Sequence, residues 1–367
     1  MKAKSIAKII LGAVALGLMA PLALADSVFL RSGPQAAELE LKNVTFTRVK
    51  DGDIYYNVGT REAHRAIGET RLELTGETKF NEAEKAFSAA ATAKDEAAAK
   101  AKYVTAAEAY EATAGSTNKP WLKDFIQLRM LIAGPKSGDI SRAVKSWMMM
   151  VDRDPAEALK HKPSLAGVDP KSTYLTESAK LLSAAEKATS KPDARRAILD
   201  MLGDIQTAMG DNEGANKTLI TRTTLGGTPE EIGIILVKIA QNEVANKNYD
   251  AAMDRLKNVN LAALPDPVRA DALYILAQCK GAKLQPASPG DEWKDLAIDY
   301  MKVVAGYPSS ANAGEALLKV AEIHETLKDP ETALKVYRQV AREHAGTPAG
   351  QAAQKSIERL SKTAARN

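Results

Sequence analysis

Histidine, cysteine and clustered carboxylates are the side chains best able to attack, ligate or shuttle protons at neutral pH, and this chain of 367 residues carries few that converge. Its four histidines, His64, His161, His324 and His344, are scattered without ligand spacing, and its one cysteine, Cys279, has no partner for an internal disulfide. His324 falls on the inward stripe of an apolar-periodic segment, the place of a satisfied core histidine. Cys279 stands among Leu276, Ala277 and Lys280 and reads as a small packing residue. Glycine-rich phosphate loops, G-x-S-x-G elbows and H-E-x-x-H helices are all missing. From Asp51 to Glu62, Asp51, Asp53, Asn57 and Glu62 take positions 1, 3, 7 and 12 of a calcium-type loop, but Tyr56 stands where that loop needs glycine. The better reading is a hairpin turned at Asp51-Gly52. No catalytic residue, metal ligand set or cofactor is predicted, so function must come from shape and surface.

The elements that would build such a surface begin after an export signal. Lys2, Lys4 and Lys8 form a basic region, residues 9–19 an apolar one, and Ala23-Leu24-Ala25 a small-x-small cleavage site, which together predict a Sec-type signal over residues 1–25 and a periplasmic or secreted protein. No second hydrophobic span follows, so no stable membrane anchor is expected after cleavage. The formal charge of +4 loses Lys2, Lys4 and Lys8 with the signal, which leaves 47 basic against 46 acidic side chains. Near neutrality removes any general attraction to nucleic acid, and no nucleic-acid partner is predicted. No motif sets an oligomeric state.

Residues 26–35 read as a flexible leader and 36–76 as a small β module. Leu39 and Leu41, Val44 and Phe46, Ile54, Tyr56 and Val58, then Leu72 and Leu74 alternate at period two. Several short strands in so few residues resemble an SH3-like barrel. From residue 79 the period changes to 3.6, and aromatic residues at 5% with abundant alanine suit helices that pack through small side chains. The expected order is first helical repeats over 79–159, a hinge or linker over 160–171 punctuated by Pro163, Gly167 and Pro170, further repeats over 172–348, and a C-terminal capping helix over 349–367.

One pattern recurs four times in the second half: Leu202-Gly203 with Ala215 and Leu219, Ile239-Ala240 with Ala252 and Leu256, Leu276-Ala277 with Ala297 and Met301, and Val320-Ala321 with Ala333 and Tyr337. Gly203, Ala240 and Ala277 are 37 residues apart, and the third copy is stretched between its helices by residues 281–292. A small residue in one helix, another twelve later and a large one four beyond that lets two antiparallel helices close tightly. The spacing resembles a tetratricopeptide repeat (TPR), which implies a mostly α solenoid of antiparallel helix pairs behind the β module.

The resemblance also implies a concave groove lined by the first helix of each pair. Carried onto this chain, the ligand-facing positions are Asp200 and Asp204, Ile234, Val237 and Gln241, Asp271, Tyr274 and Gln278, and Glu315, Leu318, Glu322 and Glu325, beside Ala197, Thr207, Val244 and Gly281. Six are acidic and none is basic. The implied partner is a protein or peptide with a neutral-to-basic, partly apolar surface, and the implied role is a non-enzymatic interaction scaffold of the bacterial envelope, similar to periplasmic TPR proteins that assist envelope assembly. The rival reading is a surface or glycan-binding adhesin acting through Tyr55, Tyr56 and Arg61 of the β module.

Overall fold

Alternation and turn chemistry make six short strands. They are β1 (Ser27–Leu30), β2 (Leu39–Lys42), β3 (Val44–Lys50), β4 (Asp53–Val58), β5 (Arg61–Ala66) and β6 (Thr70–Glu73). In this computed structural model, which describes residues 25–31 and 38–364, they form two three-stranded antiparallel sheets, β2-β1-β6 and β3-β4-β5. The β3–β4 turn is at Asp51 and Gly52, both at positive φ. The signal expected over residues 1–25 lies, but for Ala25, outside the described residues.

The leader expected over 26–35 is corrected at Ser27–Leu30, while residues 32–35 lie outside the described residues. Ser27–Leu30 is the central strand of its sheet, with Val28 opposite Leu41 on one side and Leu72 on the other. A strand paired on both edges and covered on its faces shows no alternation, so pattern reading passes over it. β5 was also missed, for the opposite reason: its residues are polar and mostly exposed, as suits a charged edge strand.

The chain divides into two compact units. One holds residues up to Met150 together with Lys160–Ser164, and the other Val151–Leu159 and everything from Leu165. The first unit contains the strands, α1 (Thr78–Ala91), α2 (Glu96–Ser116), α3 (Pro120–Ser137) and most of α4 (Ile140–Arg153). Asp95 caps α2 by accepting from Ala98 N–H. The Gly134-Pro135 and Gly138 signals end α3 before Ile140. Pro135 lies in the last turn and the left-handed residue that stops the helix is Gly138.

At the centre of this unit is a buried charge pair. Arg129 of α3 donates from Nε to Glu84 of α1 at 2.9 Å and from Nη2 to its second oxygen at 3.1 Å. Glu84 also accepts from Tyr110 Oη of α2 and from the Leu72 N–H of β6, while Arg129 reaches the Thr70 carbonyl. Phe87 and Phe125 rings flank the guanidinium, 4.4 and 4.9 Å from it. Burial works against the Arg129 charge, and Glu84 with Tyr110 more than restores it. For Tyr110, burial and then the Glu84 charge push the phenol well above its usual range.

The second unit runs through α5 (Pro155–Lys160, shared with the first), α6 (Thr173–Ala188) and four helix pairs. The pairs are α7 (Pro192–Ala208) with α8 (Asn212–Thr224), α9 (Pro229–Ala245) with α10 (Tyr249–Leu256), α11 (Asp266–Gly281) with α12 (Gly290–Gly306), and α13 (Ala313–Thr326) with α14 (Pro330–Glu343), followed by α15 (Pro348–Ala364). Thr228 and Glu231 form a reciprocal capping box at the start of α9. In α7 a Cβ added at Gly203 would stand 2.7 Å from Leu219 Cδ2 and 2.9 Å from its Cγ, so α8 closes on bare backbone. The expected small-residue contacts hold at Ala215, Ala240, Ala252, Ala277, Ala321 and Ala333, all buried. Met301 is a correction: it is 38% exposed, and Tyr300, at 4%, fills the large-residue position of the third pair. His324 is corrected too, being half-buried with its Nδ1 3.5 Å from Asp329 and without a hydrogen bond.

Two variants and one control test these contacts. Glu84→Ala, which leaves Arg129 buried without its counter-ion, should lower stability by about 3–5 kcal/mol, whereas Glu82→Ala, exposed on the same helix, should change it by no more than about 0.5 kcal/mol. Urea unfolding followed by tryptophan fluorescence reads both, since Trp121 and Trp147 lie in this unit. Gly203→Ala should cost about 1–3 kcal/mol by overpacking against Leu219, measured as a lower unfolding midpoint.

Candidate functional site

The predicted groove positions fall on α7, α9, α11 and α13, the first helices of the four pairs, but they are not uniformly available. Val237 and Leu318, expected to touch a ligand, are 2% and 5% exposed and belong to the packing between helix pairs, which corrects their assignment. Ile234 is half-buried against the same cluster as Val237. Gln241 is exposed.

The acids are occupied by the protein itself. Asp200 accepts from the Nε of buried Arg222 at 3.2 Å, and Asp204 from Lys238 at 2.6 Å. Asp271 accepts from the Asn312 amide at 2.7 Å, and its burial raises the carboxyl above its usual range. Glu322 pairs with Lys319 at 2.7 Å. Glu325 accepts from Arg359 of α15 at 2.6 Å and from Tyr337 Oη at 2.5 Å. Glu315 is half-buried, and its charge is felt at Tyr274. Of the six carboxylates expected to face the groove, three are thus paired with cations from other helices and a fourth, Glu322, with Lys319 of its own helix, which reduces the field read from first-helix residues alone.

Beneath the face of α7 and α9 the second unit carries a buried polar chain. Thr207 Oγ1 donates to Asn242, Asn242 donates to Asn216 at 3.1 Å, and Asn216 donates to Glu243 at 3.1 Å. Asn242 and Asn216 are 2% and 8% exposed, so these bonds tie neighbouring helix pairs to one register.

Four of the predicted residues, Val244, Gln278, Gly281 and Glu322, do meet in a cavity of about 370 Å³ walled by α9 to α13. Tyr249, Trp293, Leu296, Tyr300, Lys319 and Ile323 line it as well. Tyr274 packs beside it, its ring 5.8 Å from that of Tyr300. Burial first, and the charges of Glu315 and Glu322 second, push the Tyr274 phenol up to about 12. Tyr300 is raised further by burial, then by Tyr274 and Glu322. Sequence reasoning missed Tyr249, Trp293, Tyr300 and Lys319 because it assigned ligand contacts to fixed positions of first helices only. The available signal was the third pair, where Ala277 and Ala297 are twenty residues apart instead of twelve, with Trp293 and Tyr300 seven apart in the helix that follows. Among the described residues no group of three or more His, Cys, Asp or Glu is placed to hold a metal, and no helix is long and apolar enough to cross a membrane.

In the β module, Tyr56 is 1% exposed and belongs to the core, which removes it from the adhesin reading. Tyr55 lies between the Arg48 guanidinium at 4.1 Å and the His64 ring at 5.0 Å, and these are held in turn by Glu62 and Asp53. Arg61 is exposed.

A family model of the tetratricopeptide repeat matches residues 315–347. The matched stretch holds most of α13, all of α14 and the turn after it, the fourth of the helix pairs. No curated protein matches the chain. Among solved structures, the nearly identical TPR-like repeats of a Podosopora anserina protein assigned as a kinesin light chain are 17% identical, covering 56% of this chain and 96% of that one at a TM-score of 0.38. Yeast Tom70 is 14% identical, with 79% and 66% covered and a TM-score of 0.33. Both scores are below 0.5, so the TPR-like assignment rests on the family match and the helix-pair geometry.

The Glu325–Arg359 contact has a definite pH dependence. Arg359 first, and Tyr337 after burial, hold the Glu325 carboxyl below its ordinary value of 4.5. A lowered folded-state pKa means that the stabilisation is present above the ordinary value and is lost as pH falls through the depressed one. Hydrogen-exchange protection of α15, corrected for intrinsic rate, should fall on acidification below the ordinary carboxylate range. In Glu325→Gln it should already be reduced at neutral pH and vary less with pH.

Proposed function

We propose that this chain is an exported, non-enzymatic interaction scaffold of the bacterial envelope that holds a protein or peptide partner on the face formed by its first helices. The single observation that carries the reading is the side-chain-sized cavity on that face, with Gln278 and Glu322 at its wall. A cavity of this size with an aromatic wall and a few polar groups suits one anchor residue of a partner. The TPR match at residues 315–347 supports a protein-binding role. Export is supported by the basic, apolar and small-x-small order of residues 1–25.

Away from the cavity, the pairing of Asp200, Asp204 and Glu325 with Arg222, Lys238 and Arg359 moves the expected ligand surface toward the neutral end of neutral-to-basic, because only a residual negative field is left there to attract cations. The adhesin reading is left with Arg61 as its unstacked surface contact, since Tyr56 is buried and Tyr55 is enclosed by Arg48 and His64.

Titration of acidic, neutral and basic peptide libraries, each with aromatic and aliphatic positions, at two salt concentrations tests the proposal. Neutral and basic apolar peptides should bind several-fold more tightly than acidic ones, with a modest salt dependence. Equal weak binding to all three libraries would overturn it.

A further inference from the structure

The third helix pair is the one with the stretched connection, and the cavity opens there. Its volume of about 370 Å³ exceeds what one ordered water needs and suits one or two amino-acid side chains. Three rings, Tyr249, Trp293 and Tyr300, stand at its wall with one carboxylate, Glu322, and one amide, Gln278. Aromatic faces beside a carboxylate are the surroundings that a delocalised cation prefers.

The charge already present sharpens the choice. Lys319 is the one cation among the described lining residues, and its Nζ is 2.7 Å from Glu322. Both side chains are accessible, at 39% and 45%, and an exposed pair of this kind is worth little. A ligand cation better matched to a carboxylate therefore displaces Lys319 at small cost. Guanidinium is that cation: it is planar, stacks on ring faces and forms two parallel hydrogen bonds to one carboxylate, none of which an ammonium reproduces. The local field agrees in sign, since the Glu322 charge is felt at both Tyr274 and Tyr300 and the Glu315 charge at Tyr274.

We infer that this cavity is the anchor site for an arginine side chain of a partner segment, its guanidinium stacked on the aromatic wall and bonded to Glu322 in place of Lys319. The inference rests on the scaffold reading and names the ligand chemistry of the same face. Gln278 supplies a further acceptor at the rim, and Lys319, released from Glu322, swings into solvent on its flexible stem.

The test is a titration of the full chain with N-acetyl-arginine methylamide and its citrulline, lysine and leucine counterparts, read at the Trp293 indole N–H by NMR and assigned with Trp293→Phe. The arginine probe should shift that signal saturably and bind about tenfold more tightly than citrulline, which keeps the shape and loses the charge. Glu322→Gln should weaken arginine about tenfold, and Lys319→Met, which frees Glu322, should strengthen it about threefold. Circular dichroism should be unchanged in both variants, because each side chain is accessible. Equal titration by citrulline, or weaker arginine binding in Lys319→Met, would sink the inference. Equal shifts from leucine and arginine would remove arginine selectivity and leave the scaffold reading to the peptide libraries. Uniform failure of those libraries beside a selective arginine titration would remove the scaffold reading and retain the guanidinium site.

Discussion

Two antiparallel helices close tightly only where one backbone lets the other's side chains come near, and in the second unit that place recurs at one position of each first helix. Gly203, Ala240, Ala277 and Ala321 occupy it, and at Gly203 the neighbouring Leu219 leaves no room for even a methyl group. A pair closed in this way still has an uncovered apolar side, and the next helix covers it. The apolar clusters accordingly draw on three consecutive helices: Ala240, Ala252 and Ile275 from α9, α10 and α11, then Ala277, Tyr300 and Val320 from α11, α12 and α13, then Ala321, Tyr337 and Ala353 from α13, α14 and α15. No pair has a complete core of its own, so the array is stable through its interfaces.

The first unit meets a different problem, the junction of a sheet with three helices, and meets it with charge. Arg129 and Glu84 are almost wholly buried, and the carboxylate oxygens are taken by Arg129, Tyr110 and the Leu72 N–H. A buried pair contributes less net stability than an apolar core of equal volume, but its directional bonds admit one arrangement of β6, α1, α2 and α3. The alanine contacts of the second unit are non-directional, and there the polar chain through Asn242 and Asn216 supplies the register instead.

These constraints explain what could be read from residues alone. The small-residue spacing made the helix pairs legible, because close approach needs particular residue types at particular separations. Local turn chemistry made the Asp51-Gly52 hairpin legible for a similar reason. β1 was hidden because a doubly paired, covered strand has no alternation, and β5 because an exposed edge strand has no apolar face. Site residues were harder. A helical position 3.6 residues from the next says which stripe a side chain belongs to, but not which helix lies against it. Val237 and Leu318 share the stripe of ligand-facing positions and are covered by neighbouring packing. Asp200, Asp204 and Glu325 share it and are neutralised by Arg222, Lys238 and Arg359, residues distant in sequence that no local pattern links to them.

The same reasoning explains why the cavity lies at the least regular pair. Where the twelve-residue spacing holds, the second helix returns directly and its large residue, Leu219, Leu256 or Tyr337, plugs the space beside the small one. In the third pair the longer connection from α11 shifts the return of α12, so that Tyr300 replaces Met301 in that role and Met301 turns outward. Leu296 and Trp293, one and two turns earlier on α12, then stand against α11 and α13 with space left between them. Regular repeats consume their own apolar surface; the repeat that departs from the period leaves the rings of Trp293 and Tyr300 and the Gln278 amide facing an unfilled volume, which Glu322 of the next pair borders. That departure is what leaves an unfilled cavity beside this one pair.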